Sequence, residues 1–213
     1  MGNIFKRFGI DTDDPKMQKA ALYSKYSAAR INLLLLVAFS VLNILILVTT
    51  SGSGGYFMFC AAIPYQIVNY GMISCGMYSQ EFYEKNSIEP LFENSFIAVF
   101  ITIGLLIVVL YLLCWLFSKK RSGDKWLSFA LAMVSADTMV ALLVGGSLGR
   151  LVVDLLFHAL LIILLFNGIG AYKKLRALSK EEAIDSEEEE YNASETQYDV
   201  ENQYGNDNEE NLR

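Results

Sequence analysis

Four stretches of the chain stay apolar long enough to cross about 30 Å of hydrocarbon, which takes roughly 20 helical residues at about 1.5 Å each. They predict helices over 31–50, 95–117, 126–146 and 151–172. The first is built on INLLLLVAFSVLNILILV, Ile31 to Val48, and the second is SFIAVFITIGLLIVVLYLLCWLF, Ser95 to Phe117, with no charge anywhere. The third and fourth each contain an acid, and the fourth a histidine, yet both have the length. Gly145-Gly146-Ser147-Leu148-Gly149 between them predicts a tight turn joining antiparallel helices. The pattern is that of an all-α integral membrane protein, a four-helix transmembrane bundle.

A fifth stretch, 56–77, is apolar but carries Pro64, Gln66, Asn69 and many aromatics. Lysine and arginine placement decides its role. With four spans, Lys6, Arg7, Lys16, Lys19, Lys25 and Arg30 precede the first helix. Lys119, Lys120, Arg121 and Lys125 link the second and third, and Lys173, Lys174, Arg176 and Lys180 follow the fourth. All fall on one side, and only Lys85 and Arg150 fall opposite; such a bias marks the cytoplasmic face. A crossing at 56–77 would strand the KKR cluster outside. The segment is therefore expected to dip into the outer face as a re-entrant helix or to lie on it as an interfacial one. Tyr56, Phe57, Phe59, Tyr65, Tyr70 and Tyr78 suit that level, and YSQEFYEKNSIEPLFENS then forms an acidic external loop. Asp14-Pro15 reads as a cap and first residue of a cytoplasmic helix that runs into the first span. The expected organisation is a basic cytoplasmic segment, 1–30, a membrane domain, 31–178, and an acidic tail, 179–213, with both termini cytoplasmic.

Charge separates that tail from the rest. Residues 1–180 hold 16 Lys+Arg against 10 Asp+Glu, whereas 181–213 hold 13 acids and only Arg213. A segment so poor in aliphatics cannot bury enough surface to offset ordering, and is expected to be disordered. Its Asn192-Ala193-Ser194 sequon is silent on the cytoplasmic side, its tyrosines invite phosphorylation, and its partner is unknown. One histidine rules out any site needing two, SGSGG at 51–55 lacks the Lys-Ser/Thr of a phosphate loop, and no basic stripe suggests nucleic acid. No metal site and no cofactor is expected. The first span is too long, and too far from the start, for a cleaved signal peptide, and MGNIFK lacks the Ser/Thr of a myristoylation signal. Cys60 and Cys75 either pair outside or remain two packed thiols, the commoner outcome.

The candidate chemistry is an intramembrane polar cluster, Asp137, Asp154, His158 and Arg150. Arg150, Asp154 and His158 repeat every four residues and share a helix face. Folding the last two helices back at about residue 147 brings position 137 level with 158, near the midplane, and small neighbours Ala130, Ala141 and Gly145 turn Asp137 toward the fourth helix. A central charge facing lipid is costly, so these groups are expected to meet one another. Three readings stay open: a structural clasp, an ion-, proton- or ligand-handling site, and, least favoured, a catalytic one. No catalytic residue is assigned. Asn32, Ser40 and Asn43 lie near one stripe of the first span and suit hydrogen bonds across the bundle. The second span, polar only at Thr102, Tyr111 and Cys114, is expected to be the most lipid-exposed.

ARINLLLLVAFSVLNILILV, FMFCAAIPY, LLCWLFSKK, ADTM and DLLFHALLIILL, occurring in that order, resemble a group of bacterial multi-pass, four-span membrane proteins with no assigned activity. The resemblance covers roughly residues 25–178 and implies a bacterial cytoplasmic membrane setting, and no activity, ligand or site. The expected function is a non-enzymatic transport, sensing or accessory component. The alternative is a membrane-embedded enzyme or ion- or proton-handling protein using Asp137, Asp154 and His158. The expected partners are the lipid bilayer and, to complete any pore wall, a second copy or another membrane protein.

Overall fold

A computed structural model describes residues 15–52, 59–120, 122–144, 149 and 151–180. The chain divides into two compact units, Met1–Tyr172 and Lys173–Arg213. Among the described residues all regular structure is helical. Six α-helices occur: α1 Pro15–Thr49, α2 Ala62–Ser74, α3 Gln80–Asn86, α4 Ile97–Phe117, α5 Gly123–Val144 and α6 Leu151–Lys180, whose residues from 173 onward belong to the second unit. A short 3-10 turn, Asn94–Phe96, leads into α4. Helices α1, α4, α5 and α6 are long and apolar enough to cross a membrane, and α4 is the least buried of the four. The acidic tail, the Gly-rich turn at 145–148 and Arg150 lie outside the described residues.

The first helix is one continuous rod of 35 residues, starting at Pro15 as the sequence suggests. Proline suits a helix start, where its missing N–H has no partner to lose. The helix ends where Ser51 and Gly52 turn left-handed, at φ 47° and 79°. The Thr49 and Thr50 hydroxyls fold back as second donors onto the carbonyls of Leu45 and Ile46.

Helix α2 is the unusual element. It has 13 residues, about 20 Å, and packs among α1, α4 and α5. Val68 and Met72 along it, and Cys60 and Cys75 beside its ends, are all fully buried. Its start meets Ser40 in α1 and Asp137 in α5, both well inside those helices. Helix α2 thus starts inside the bundle and runs antiparallel to α4. Gly104 makes that approach feasible: a Cβ there would come within 2.7 Å of Val68 Cγ2 and 3.1 Å of the Pro64 carbonyl. Gly76, at φ 71°, stops α2. Beyond it the Met77 N–H returns to Met72 and the Gly76 N–H to Ile73, the six-to-one and five-to-two bonds of a Schellman ending. The Leu91 and Phe92 N–H groups both meet the Ser74 carbonyl, and the Tyr83 hydroxyl donates to that of Ile73 alongside the Gly76 N–H.

Cys60 and Cys75 form no disulfide and stand at opposite ends of α2. A helix of about 20 Å between them far exceeds the roughly 4.4–6.8 Å Cα separation of a disulfide. At the far end of the bundle, the Tyr26 hydroxyl donates to the Ser118 carbonyl and the Tyr172 hydroxyl to that of Lys120. These bonds bring α1 and α6 to the α4–α5 turn, so Arg30, Lys119 and Lys120 gather at one end. Gly168 lets α6 approach Ala29 closely.

Candidate functional site

The first turn of a helix leaves N–H groups with no partner inside the helix. In α2 these belong to Ala61, Ala62, Ile63 and residue 64. None can be met by a local side chain, because Ala61 stands at the cap position and offers no acceptor. Each is accounted for from elsewhere. The Ala61 N–H donates to Ser40 Oγ at 2.8 Å, the Ala62 N–H to Asp137 Oδ2 at 2.6 Å, and the Ile63 N–H to Asp137 Oδ1 at 2.7 Å. Residue 64 is proline and has no N–H. Ser40 in turn donates to the Leu36 carbonyl at 2.6 Å. Asp137 is thus a remote N-cap, supplied by α5 to a helix 74 and 75 residues earlier in the chain.

The carboxylate is fully buried. An isolated charge there would be strongly disfavoured, and three features oppose that penalty: two backbone donors, the positive end of the α2 dipole, and His158. His158 Nε2 lies 2.9 Å from Asp137 Oδ2, and Nδ1 lies 2.9 Å from the Asp154 backbone carbonyl. A carbonyl only accepts, so Nδ1 carries hydrogen. The Nε2–Oδ2 contact then needs one proton between its two atoms, whether written as imidazolium–carboxylate or as imidazole–carboxylic acid. Without it two lone pairs would face each other; with a second, two hydrogens would collide. The bond is therefore a one-proton device.

The structure thus brings Asp137 and His158 into direct contact, as the folding back of the last two helices requires. Asp154 sits one turn before His158 with Oδ1 3.6 Å from Nδ1, and its backbone carbonyl makes the shorter contact. Arg150 lies outside the described residues. Ser40 bonds across the bundle, whereas the Asn32 amide donates to the Ala28 carbonyl of its own helix. The tie from Asp137 to α2 is what the sequence reading missed. Its signal lay in Ala61-Ala62-Ile63-Pro64, a helix start with proline and no capping side chain.

Two further features border the site. Tyr111 of α4 is buried, its hydroxyl makes no hydrogen bond, and Asp137 is near enough to act on it electrostatically. On the other side, His158 lines a narrow cleft of about 30 Å³ between α1 and α6, with Asn32, Leu36, Phe59 and Phe157. Among the described residues no group of three or more His, Cys, Asp and Glu is placed to hold a metal ion.

The chain matches no protein-family model, no curated protein and no solved structure. Fold and site alone define its class: among the described residues, a helical fold with four helices long and apolar enough to cross a membrane, built around a buried carboxylate that caps an inserted helix.

Proposed function

We propose that this chain is a multi-pass membrane protein of the non-enzymatic sensing or accessory kind, in which Asp137 and His158 form a proton-dependent clasp on a re-entrant helix, α2. The membrane setting is supported by the outward faces of the four long helices. Leu106, Leu143 and Phe166 are 58%, 85% and 70% exposed, an apolar surface that a water-soluble monomer rarely presents. In hydrocarbon, every backbone group of a non-spanning segment needs a protein partner. That demand accounts for an acid inside the bundle without any reaction for it to perform.

One observation carries the reading: both Asp137 oxygens are taken by α2 backbone donors, and Oδ2 also shares a proton with His158. A group so engaged is suited to holding α2 and to releasing it when its proton count changes. The basic residues at the Arg30–Lys119–Lys120 end favour that end, and both termini, in the cytoplasm. The resemblance noted above favours a bacterial cytoplasmic membrane, with the bilayer and a second copy or another membrane protein as partners.

Proteoliposomes with an internal pH dye test the reading, wild type against Asp137→Asn. A clasp gives no Asp137-dependent proton flux, while reactivity of Cys60, beside the start of α2, rises in the variant. Flux that is present in the wild type and abolished in Asp137→Asn, with Cys60 still protected, overturns it. That result favours the second reading, an ion-handling site or membrane-embedded enzyme using Asp137, Asp154 and His158.

A further inference from the structure

At the end of the bundle away from α2, four helices meet in a corner that is basic and aromatic at once. Arg30 Nε donates to Ser118 Oγ at 2.7 Å, and Nη2 reaches the Trp115 carbonyl at 3.4 Å. These bonds hold the guanidinium at the carbonyl end of α4, where a helix dipole favours a cation. The guanidinium carbon also lies 5.6 Å from the Tyr26 ring centre and 5.4 Å from that of Trp115. The ammonium of Lys119 rests 6.0 Å from the same Trp115 ring, and that of Lys120 4.5 Å from Phe117. Tyr172 closes the corner against Tyr26, with ring centres 5.3 Å apart.

Two properties of this corner call for an anion. Its three cations have no carboxylate within ion-pair reach among the described residues, and ring faces, the Trp115 carbonyl and the Ser118 hydroxyl are what they meet instead. Arg30 uses two of its five N–H donors on the protein, which leaves a fork of the kind that suits phosphate. Position selects which anion. The apolar run of α1 starts at Ile31, directly after Arg30, and that of α4 ends at Phe117, with Ser118 alone between it and the lysines. The corner therefore stands at the boundary between apolar and polar surface. That boundary is where amphipathic rings reside in a bilayer and where phosphate headgroups lie.

We infer that the corner formed by Tyr26, Arg30, Trp115, Lys119, Lys120 and Tyr172 binds the headgroup of an anionic phospholipid. Arg30 provides the fixed fork, the two lysines add charge, and the rings shield the glycerol edge from water. The site rests on the membrane reading proposed above. It does not depend on the Asp137 clasp.

The test uses the full chain, purified in neutral detergent and offered phosphatidylglycerol and phosphatidylcholine in equal amounts, with retained lipid counted by native mass spectrometry. The wild type is expected to keep at least threefold more of the anionic lipid. Lys119→Gln/Lys120→Gln, whose changed side chains are exposed, is expected to fold normally and to fall to parity. Millimolar inorganic phosphate is expected not to displace the lipid, because acyl chains anchor it; displacement identifies a free-phosphate site and overturns the lipid assignment. Parity in the wild type, or an undiminished preference in the double variant, overturns it too. Extraction of the protein from membranes by alkaline carbonate without detergent defeats the membrane reading and the lipid site together. A chain that stays in the bilayer yet shows parity defeats the lipid site alone.

Discussion

Replacing Asp137 by alanine removes the acceptor for two buried backbone donors at once, the N–H groups of Ala62 and Ile63. Each donor left without a partner costs about 1–3 kcal/mol, so the start of α2 should loosen by about 2–6 kcal/mol. Loss of the charge at the helix's positive end acts in the same direction. Cys60 reports this locally, being fully buried immediately before α2. In a Cys75→Ala/Cys114→Ala background it is the sole thiol, and its maleimide labelling tracks the fraction of molecules with α2 released. Even about 2.8 kcal/mol, the low part of that range, raises the open fraction ~100-fold. Ser40→Ala orphans one donor, that of Ala61, and should give a smaller rise. Asp137→Asn serves if the alanine variant does not accumulate: its amide accepts from one N–H and opposes the other. The reasoning fails if Cys60 in a folded Asp137→Ala or Asp137→Asn protein labels no faster than in the parent.

Three other outcomes follow from the packing. Gly104→Val places side-chain atoms where Val68 and the Pro64 carbonyl already stand, and should lower stability by about 1–3 kcal/mol in detergent unfolding; a neutral result refutes the close approach of α2 to α4. Tyr111→Phe removes a buried hydroxyl that makes no hydrogen bond, and should raise stability by about 1 kcal/mol; a loss shows that the hydroxyl has a partner. The Tyr78 hydroxyl, which donates to Asn69, is pushed up to about 12, chiefly by burial and then by Tyr65 and Tyr83. Because the unfolded chain ionises first, this group's contribution to stability is complete below pH about 10 and declines as pH rises toward 12. The tyrosinate absorbance difference between wild type and Tyr78→Phe should therefore titrate above the ordinary tyrosine range.

The long helices were legible because length and apolarity are local properties. The expected 95–117 agrees with α4 to within two residues at its start, and the early start of α1 was readable from Asp14-Pro15. The meeting of Asp137 with His158 was legible because rise per residue and the turn expected from the Gly-rich sequence at 145–149 set their relative height. Lysine and arginine placement pointed to 56–77 as something other than a crossing, without separating a helix packed inside the bundle from one lying on it. That choice rests on donors at Ala61, Ala62 and Ile63 and acceptors at Ser40 and Asp137. Backbone N–H groups are the same in every residue but proline, so no residue type announces which of them needs a distant partner. Asp137 therefore read as a neighbour of the fourth helix only, when most of its hydrogen bonds run to α2.

The sequence distance between α2 and its cap sets an order of events during synthesis. Ser40 leaves the ribosome ahead of Ala61, so that acceptor is waiting when α2 emerges. Asp137 follows Ile63 by 74 residues. At about 5–20 residues per second the nascent chain spends roughly 4–15 s with the start of α2 unmet by its carboxylate. During that interval the Ala62 and Ile63 N–H groups lack the acceptor that meets them in the folded chain. A chain truncated before residue 137 would thus carry an exposed, half-docked segment, a mark by which quality-control proteases can recognise an unfinished copy.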